Sequence, residues 1–310
     1  MTGVPSDLFN ENAIDPRVIR TVKRSIANMP GMSGTFNATL SLLSNPSTNV
    51  KIIAQAVERD QVLAARVLRL VNSPFFGLER QVTGIRQAVI LLGFNTIRQL
   101  IWSFGINKTV IELSSKYQFD MDQFWNHSIS TAVLGRRISN SIPGSDSESA
   151  FAAGLLHDIG KMVLYMAFKD TYHNVHREAQ TSFTDLCTLE KEKIGITHPQ
   201  AGYILGLKWN FPQQILNCIL FHHNVPPASD TTSLVKLLEP DQYNLLEITS
   251  LSNVVSSYIG FGLGTPTDSE IYWSKVTISV HCPEYAPPRN ESIAFLKQEI
   301  EEIQKTFIQQ

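Results

Sequence analysis

Cysteine is scarce in this chain. Three cysteines, Cys187, Cys218 and Cys282, occur among 310 residues, and their number is odd and their spacing irregular. This pattern argues against a disulfide framework and favours a reducing compartment. The first residues also lack the basic segment and apolar run of a signal peptide. We therefore expect a cytoplasmic protein.

Long apolar runs and a strong excess of one charge are also missing. No uninterrupted apolar run approaches the roughly 18 residues that a membrane-spanning helix needs. The 26 Lys and Arg residues nearly balance the 28 Asp and Glu residues, so the formal net charge is −2 at pH 7. Such a balance gives no strong overall attraction to nucleic acid. We expect neither a membrane span nor direct binding of nucleic acid.

Strand-like patterns are almost absent, and apolar residues recur instead at helical spacing. The one β-like run covers residues 276–280, whereas helical stripes occur along most of the chain. The pattern predicts an all-α fold of orthogonally packed helices. Linker-like and glycine-rich stretches divide the chain into a helical lobe at 14–115, a second helical lobe at 116–264, and a C-terminal extension at 265–310 that ends in an amphipathic helix.

One apolar stretch, residues 152–164, carries His157 and Asp158 in its middle. Neither proline nor a turn cluster interrupts it, so it predicts a buried helix. Burying an unpaired ionised carboxylate costs several kcal/mol or shifts its pKa. A metal ion or a hydrogen-bond network would remove that cost. Because neighbouring helix positions diverge by about 100°, the further partners must come from other helices.

Four more histidines lie on or at the ends of apolar helices: His127, His198, His222 and His223. Imidazole nitrogen and carboxylate oxygen are ordinary ligands for Zn, Fe, Mn and Ni. A buried hydrogen-bonded network explains the same residues, so the pattern leaves a metal site and a structural polar cluster both open. His198 begins a helix, where the helix dipole disfavours a protonated imidazole. That position suits a neutral ligand and equally a helix cap.

Four sequence motifs follow one another in order. They are Asn72-Ser73-Pro74-Phe75-Phe76-Gly77, then Gln87-Ala88-Val89-Ile90-Leu91-Leu92-Gly93, then Phe124-Trp125-Asn126-His127-Ser128, and finally Ala153-Gly154-Leu155-Leu156-His157-Asp158-Ile159-Gly160-Lys161. Their order resembles the HDOD domain, the HD-related output domain of bacterial signalling proteins, which is related to the HD superfamily of phosphohydrolases. The resemblance implies an HD-superfamily helical core with an additional N-terminal helical lobe.

The resemblance also implies roles for the clustered residues. His127, His157 and Asp158 match the ligands of a first metal ion, and Asp158 and Lys161 match catalytic groups. A metal ion in such enzymes lowers the pKa of bound water, and a nearby lysine can meet phosphate charge. The later histidines are similar to those of the two-metal branch that cleaves cyclic di-GMP; they are His198, His222 and His223. The cofactor implied is a divalent ion such as Fe, Mn, Zn or Ni.

Two positions depart from the pattern of the catalytic relatives. Asn253 stands where the family usually has an aspartate that completes the ligand set. An amide oxygen can bind a metal ion, but it is neutral and a weaker ligand. The two-metal branch also has Gly-Tyr-Pro after its paired histidines, and this chain has Asn224, Val225 and Pro226 there. Both departures argue against an active cyclic di-GMP phosphodiesterase.

Three functions are compatible with these residues. The first is a signalling or regulatory module, non-catalytic, with a vestigial or structural metal site and a signalling protein as partner; Asn253 and the additional lobe favour it. The second is a metal-dependent phosphohydrolase acting on a nucleotide or phosphodiester. The third is a sensor that binds a nucleotide without hydrolysis. The terminal helix at 291–308 can pack on the domain or mediate a homodimer, and the sequence leaves both open.

Overall fold

The computed structural model describes residues 9–28, 42, 48–59, 61–72, 81–94, 96–97, 101, 120–182, 184–225, 238–261, 298 and 300–301. Every regular element within these residues is a helix and no strand occurs among them, as the sequence predicted. The turn expected at 73–77, the β-like run at 276–280 and most of the C-terminal extension lie outside the described residues.

The described helices, in chain order, are α1 (Pro16–Ala27), α2 (Val50–Glu58), α3 (Gln61–Val71), α4 (Ile85–Phe94), α5 (Met121–Ser141), α6 (Ser147–Leu156), α7 (Ile159–Ser182), α8 (Leu186–Lys193), α9 (His198–Lys208), α10 (Gln213–Phe221) and α11 (Pro240–Ser256). A short 3-10 turn, Glu11–Ala13, precedes α1, and a π-helical turn, Ser257–Phe261, follows α11. Side chains cap several helix starts. Asp120 accepts a hydrogen bond from the N–H of Gln123 at 2.9 Å and so caps the start of α5.

The chain divides into two compact units, Met1–Asn28 with Tyr117–Lys297, and Met29–Lys116 with Gln298–Gln310. This division differs from the predicted one at the N-terminus. The lobe predicted at 14–115 included α1, whereas α1 packs on α7 and α9 and belongs with them to the unit that contains Tyr117–Lys297. The apolar stripe of α1 was visible in the sequence, but a stripe does not specify which surface covers it.

Helix α6 lies at the centre of the first unit. Its residues from Ser149 to Leu156 are all buried, and α5, α10 and α11 pack around it. Helix α7 continues the chain and packs against α1, α8 and α9. The ends of these central helices meet at the junction between α6 and α7. Most of the predicted site residues lie close together there.

Asn72 is the first residue of the earliest HDOD-like motif. In the second unit its side-chain amide forms hydrogen bonds with the backbone of two other residues. Its Oδ1 accepts from the N–H of Val82 at 2.7 Å, and its Nδ2 donates to Val82 O at 2.7 Å and to Leu68 O at 2.8 Å. The amide therefore joins the end of α3 to the segment that leads into α4. The rest of this motif, residues 73–77, is not among those described.

The segment formed by α6 and α7, Ser147–Ser182, is long and apolar enough by composition to cross a membrane. However, 83% of its most apolar window is buried inside the structure, as expected for central helices of a folded unit. Its apolar character is therefore explained by packing.

Candidate metal centre

His157 and Asp158 lie at a break between α6 and α7, which corrects the prediction of one continuous helix over residues 152–164. The N–H of His157 bonds Ala153 O at 2.9 Å in the α-helical pattern, but the N–H of Lys161 bonds Asp158 O only three residues back, also at 2.9 Å. His157 keeps right-handed helical backbone angles at this break, and Asp158 begins the tighter turn that leads into α7. Both side chains reach the same buried cluster.

Gly160 allows the start of α7 to lie against the start of α9. A Cβ at this position would overlap the carbonyl oxygen of His198 and would lie 2.5 Å from the backbone nitrogen of Gly202. No side chain fits in that space, so the close approach requires glycine. The contact positions His198 beside the junction that carries Asp158.

One oxygen of the buried Asp158 carboxylate faces two early histidines. Oδ2 lies 3.3 Å from His127 Nε2 and 3.4 Å from His157 Nε2, and the two Nε2 atoms are 3.2 Å apart. We call these three residues the early subsite. Lys161, one helical turn after Asp158, places its Nζ 2.6 Å from the same Oδ2.

The other oxygen faces the later histidines. Oδ1 of Asp158 lies 3.2 Å from His198 Nε2 and 3.5 Å from His222 Nε2, and His223 Nε2 is 3.1 Å from His198 Nε2. We call these four residues the late subsite. His222 is fully buried and His223 half-buried. The sequence left their joint participation open; both face the cluster because α10 ends at Phe221 and the pair lies in the turn beyond it.

The ring nitrogens that face away from the cluster are held by hydrogen bonds. His157 Nδ1 donates to Gly154 O at 2.7 Å, and His222 Nδ1 donates to Ile219 O at 3.0 Å. A carbonyl oxygen can only accept, so Nδ1 carries the proton in both rings. In the neutral imidazole the lone pair of Nε2 then faces Asp158, which is the arrangement of a metal ligand.

Glu190 is a site residue that the sequence analysis missed. Residues 182–194 read as a surface helix, yet Glu190 is fully buried on α8 and lies 2.8 Å from His198 Nδ1. Tyr172 donates to its Oε1 at 2.9 Å, and the backbone N–H of His198 donates to its Oε2 at 2.7 Å. Burial opposes protonation of His198, but the Glu190 carboxylate raises the pKa of this imidazole well above its usual range. Charge alternation along α8 gave no signal for this role, because only the fold brings Tyr172 and His198 to it.

Burial controls the protonation state of three further histidines, His127, His222 and His223. It lowers the pKa of His127 to about 4 and that of His222 to about 3, and it lowers the pKa of His223 well below its usual range. These imidazoles are therefore neutral near pH 7, which is the form that binds metal ions. Burial also opposes the charge of Asp158, but the Lys161 ammonium holds the pKa of that carboxyl well below its usual range.

Two polar atoms of the late subsite have no hydrogen-bond partner, Asp158 Oδ1 and His222 Nε2, and both are fully buried. Both are acceptors, and a buried acceptor without a donor is costly. Ligand atoms about 2.1 Å from one ion lie roughly 3.0–3.4 Å from each other. The separations in the cluster, from 3.1 to 3.5 Å, are close to this range. Nitrogen-rich donors with one carboxylate suit Fe, Mn, Zn and Ni, so the residues fit a divalent metal ion.

Asn253, the remaining predicted ligand, is buried on α11 one turn before Ser256. Ser256 Oγ lies 3.2 Å from His127 Nδ1, so this side of α11 faces the early histidines. Ser256 was another residue that the sequence analysis missed. The role of Asn253 as a ligand remains a prediction.

Three further histidine and cysteine residues lie outside the two subsites. His173 is exposed and its Nδ1 lies 3.1 Å from Tyr165 Oη. Burial lowers the pKa of His176 to about 4. Cys187 is half-buried with its Sγ 3.8 Å from His198 Nδ1, and burial raises the pKa of its thiol.

The all-helical fold around a buried His–Asp cluster defines an HD-type helical protein. The HDOD domain family matches residues 29–225, which is more than half of the chain, and the chain belongs to that family. This finding confirms the family inferred from the motifs.

Known proteins resemble the chain at low identity. A candidate phosphohydrolase of Shewanella amazonensis SB2B superposes with a TM-score of 0.69 at 22% identity, over 93% of this chain and 98% of its own. A candidate signal transduction protein of Marinobacter aquaeolei VT8 gives a TM-score of 0.65 at 19% identity, over 97% of this chain and 67% of its own. Both support the fold.

An uncharacterized protein of Treponema pallidum (strain Nichols) is 22% identical over 216 residues, which are 69% of this chain and 41% of that protein. The chain spans less than half the length of the curated relatives that it matches. These relatives are therefore longer proteins in which the matched region is one part.

Proposed function

We propose that the chain is a bacterial signalling or regulatory HDOD module that holds a divalent metal ion in its His–Asp cluster and does not act as an efficient hydrolase. The observation that carries the metal-binding part is the pair of buried acceptors without donors, Asp158 Oδ1 and His222 Nε2. A divalent cation between them would give both acceptors a partner at once. The proposal also includes a reducing bacterial cytoplasm, consistent with the free thiols of Cys187 and Cys218.

The non-catalytic part depends on charge. Asp158 is the one carboxylate with oxygens in both described metal-binding groups of the early and late subsites. A neutral amide at Asn253 contributes no second negative charge. The two positive charges of a bound ion would therefore be only partly neutralised by its ligands. When bound, such an ion would lower the pKa of a water molecule that it holds. The geometry of the ligands decides whether that water can attack a phosphoryl group. Asn253 therefore favours a structural or regulatory ion.

A signalling partner is part of the proposal. The similar protein from Marinobacter aquaeolei VT8 is named as a candidate signal transduction protein, and the family resemblance implies an output domain. We propose that such a protein, and not nucleic acid, is the partner of this chain.

Hydrolysis of a nucleotide or phosphodiester is the second candidate function. It is favoured by the completeness of the histidine set, since all five clustered imidazoles lie next to Asp158 or to one another. Against it, Lys161, the lysine that would meet phosphate, is engaged with Asp158 at 2.6 Å. This candidate requires the lysine to leave that ion pair.

One experiment separates the two functions. The purified chain is loaded in turn with Mn, Fe(II), Zn and Ni, its bound metal is measured by mass spectrometry, and hydrolysis of bis(4-nitrophenyl) phosphate is followed. We expect a bound ion that is lost in Asp158→Asn, with negligible turnover, and a gain of turnover in Asn253→Asp. Asp241→Asn, at an exposed position of α11, is the matched control.

Rapid turnover by the unchanged chain, abolished in Asp158→Asn and kept in Asp241→Asn, would establish the hydrolase instead. Saturable binding of a nucleotide without turnover would indicate a sensor. No bound metal under any loading condition would overturn the proposal and leave the cluster as a buried polar network.

A further inference from the structure

We infer that Lys161 takes the place of a metal ion at the early subsite, so that the chain binds a single divalent ion, at the late subsite of Asp158, His198, His222 and His223. This inference rests on the proposed metal-binding function and specifies where the ion lies and how many are bound. It follows from a difference between the two ends of the cluster in charge, in donor number and in hydrogen-bond satisfaction.

The early subsite is satisfied within the protein. His157 Nδ1 donates to a carbonyl, so its Nε2 is an acceptor, and the N–H of His127 Nε2 can donate to it across 3.2 Å. The hydroxyl of Ser256 lies 3.2 Å from His127 Nδ1 and can donate to that nitrogen. The Lys161 ammonium donates to Asp158 Oδ2 at 2.6 Å. Each of these polar atoms has a complementary partner without a metal ion.

The late subsite is not satisfied in the same way. Its Asp158 Oδ1 and His222 Nε2 lie 3.5 Å apart, both buried, and neither has a hydrogen-bond partner. His222 Nδ1 donates to Ile219 O, so Nε2 presents a lone pair. Two acceptors that face each other repel unless a cation lies between them. His223 Nε2 extends this set, and His198 Nε2 makes it four once a metal ion displaces its proton.

Charge favours the same assignment. A divalent ion at the early subsite would share Asp158 Oδ2 with the Lys161 ammonium, which is 2.6 Å from that oxygen. Two cations on one carboxylate oxygen in a buried site repel strongly, because the interior screens charge poorly. The early subsite has three donors, and its neighbour on α11, Asn253, is neutral. The late subsite has four donors and Lys161 is bonded to the opposite oxygen.

Burial and support differ among the members of the late subsite. His198 and His222 are fully buried, whereas His223 is half-buried, so His223 is the member of this subsite that contacts solvent. Behind His198, the Glu190 carboxylate holds Nδ1 at 2.8 Å, which orients Nε2 toward Asp158. A carboxylate behind a ligating imidazole is a common support for metal sites.

The test measures metal stoichiometry and affinity in glutamine variants of the histidines. The intact chain is titrated with Zn and with Fe(II), and bound metal is counted by mass spectrometry after removal of free ions. We expect about one ion per chain, an affinity reduced roughly 10-fold or more in His222→Gln and His223→Gln, and an affinity within about 3-fold of the parent in His127→Gln. Lys161→Met frees Asp158 Oδ2, so it should raise the stoichiometry toward two.

X-ray absorption at the metal edge provides a readout that does not depend on affinity. The number of imidazole ligands should stay the same in His127→Gln and fall in His223→Gln. His223 is half-buried, so its variant is the one expected to fold even if a fully buried substitution does not. Circular dichroism of each variant monitors folding.

Some outcomes would overturn the inference alone. These are two ions per chain in the unchanged protein, or an ion that is lost in His127→Gln and kept in both late variants. An unchanged stoichiometry in Lys161→Met would contradict the role given to that lysine. Absence of metal from every form would instead overturn the proposed metal-binding function on which the inference rests.

Discussion

Single residues outside the ligand set control the cluster, and Glu190 is the clearest example. It acts through His198, whose Nδ1 it holds at 2.8 Å, and it is itself held by the Tyr172 hydroxyl at 2.9 Å. The carboxylate keeps the Nε2 atom of the ring directed at Asp158 and increases its basicity as a ligand. The roles of such supporting residues can be tested apart from the ligands.

We expect Glu190→Gln to reduce metal affinity by about 10- to 100-fold, since the amide keeps the shape of the side chain but not its charge. Tyr172→Phe should have a smaller effect in the same direction. Glu192→Gln, at an exposed position of the same helix, is the control and should bind metal normally. Competition with a chromophoric chelator near neutral pH measures the affinity. Equal affinities in Glu190→Gln and Glu192→Gln would contradict the role.

The buried histidines also make the stability of the metal-free chain depend on pH. Burial lowers the pKa of His127 to about 4 and that of His222 to about 3, from 6.5 in the unfolded chain. The unfolded state therefore binds more protons below pH 6.5, so the free energy of unfolding should fall as the pH drops from about 6.5 toward 4. The raised pKa of His198 acts in the opposite sense only at higher pH, where its contribution is lost as the imidazolium deprotonates.

Urea unfolding of the metal-free chain across this pH range measures the effect. His222→Asn should flatten the dependence, because it removes one of the buried groups that must charge. His173→Asn changes an exposed histidine and should leave the slope as it is. A stability that is independent of pH between 6.5 and 4 would show that these imidazoles are not buried as described.

At the scale of helices, the site depends on how closely α7 approaches α9. Gly160 and Gly202 let the two backbones meet, and a Cβ on Gly160 would lie 2.5 Å from the nitrogen of Gly202. The helix junction that carries His157 and Asp158 is then held beside the first turn of α9. Glycines of this kind fix geometry although they carry no chemistry.

Gly160→Ala should therefore destabilise the chain by several kcal/mol and weaken metal binding, because α7 and α9 must separate. The matched control is Gly84→Ala, where no atom of the described residues lies within 4 Å of the added Cβ. We expect that variant to change stability by less than about 1 kcal/mol. Thermal and urea unfolding of both variants gives the comparison. A Gly160→Ala protein as stable as Gly84→Ala would contradict the close approach.

At the scale of the whole molecule, the cluster draws on helices of one unit only. Its described members come from α5, the α6–α7 junction, the start of α9 and the turn after α10, all within the unit that contains Tyr117–Lys297. A bound ion stabilises the state that binds it, by about 2.7 kcal/mol when its concentration is 100 times the dissociation constant. This stabilisation should appear in the helices that carry the metal ligands.

Hydrogen exchange with and without metal tests this expectation. Protection should increase for amides of α5, α6, α9 and α10, and should stay unchanged for amides of α2, α3 and α4 in the other unit. The Asp158→Asn protein, which lacks the central carboxylate, should show no increase anywhere. Equal increases in both units would show instead that the two units open together.

The residue pattern alone predicts the helical class, the family, and the five histidines and Asp158 of the cluster, but it gives no sign of Glu190 or Ser256. Apolar periodicity fixes helices because it repeats at 3.6 residues, and His127, His157–Asp158, His198 and His222–His223 stood out because polar groups in apolar stretches need partners. The motif order was enough to infer the HDOD family, which the family comparison confirms.

Only the tertiary structure decided how these residues share space. Four features depend on contacts between segments far apart in the chain. They are the break before α7, the close approach of Gly160 to α9, the burial of Glu190 on a helix whose sequence predicts exposure, and the packing of α1 on α7 and α9. Local patterns report the polarity of a segment and not the identity of its neighbour. For the same reason, the sequence does not show that the two oxygens of Asp158 have different surroundings. In the folded chain Oδ2 accepts from the Lys161 ammonium, whereas Oδ1 lies beside His222 Nε2 and neither atom has a hydrogen-bond partner.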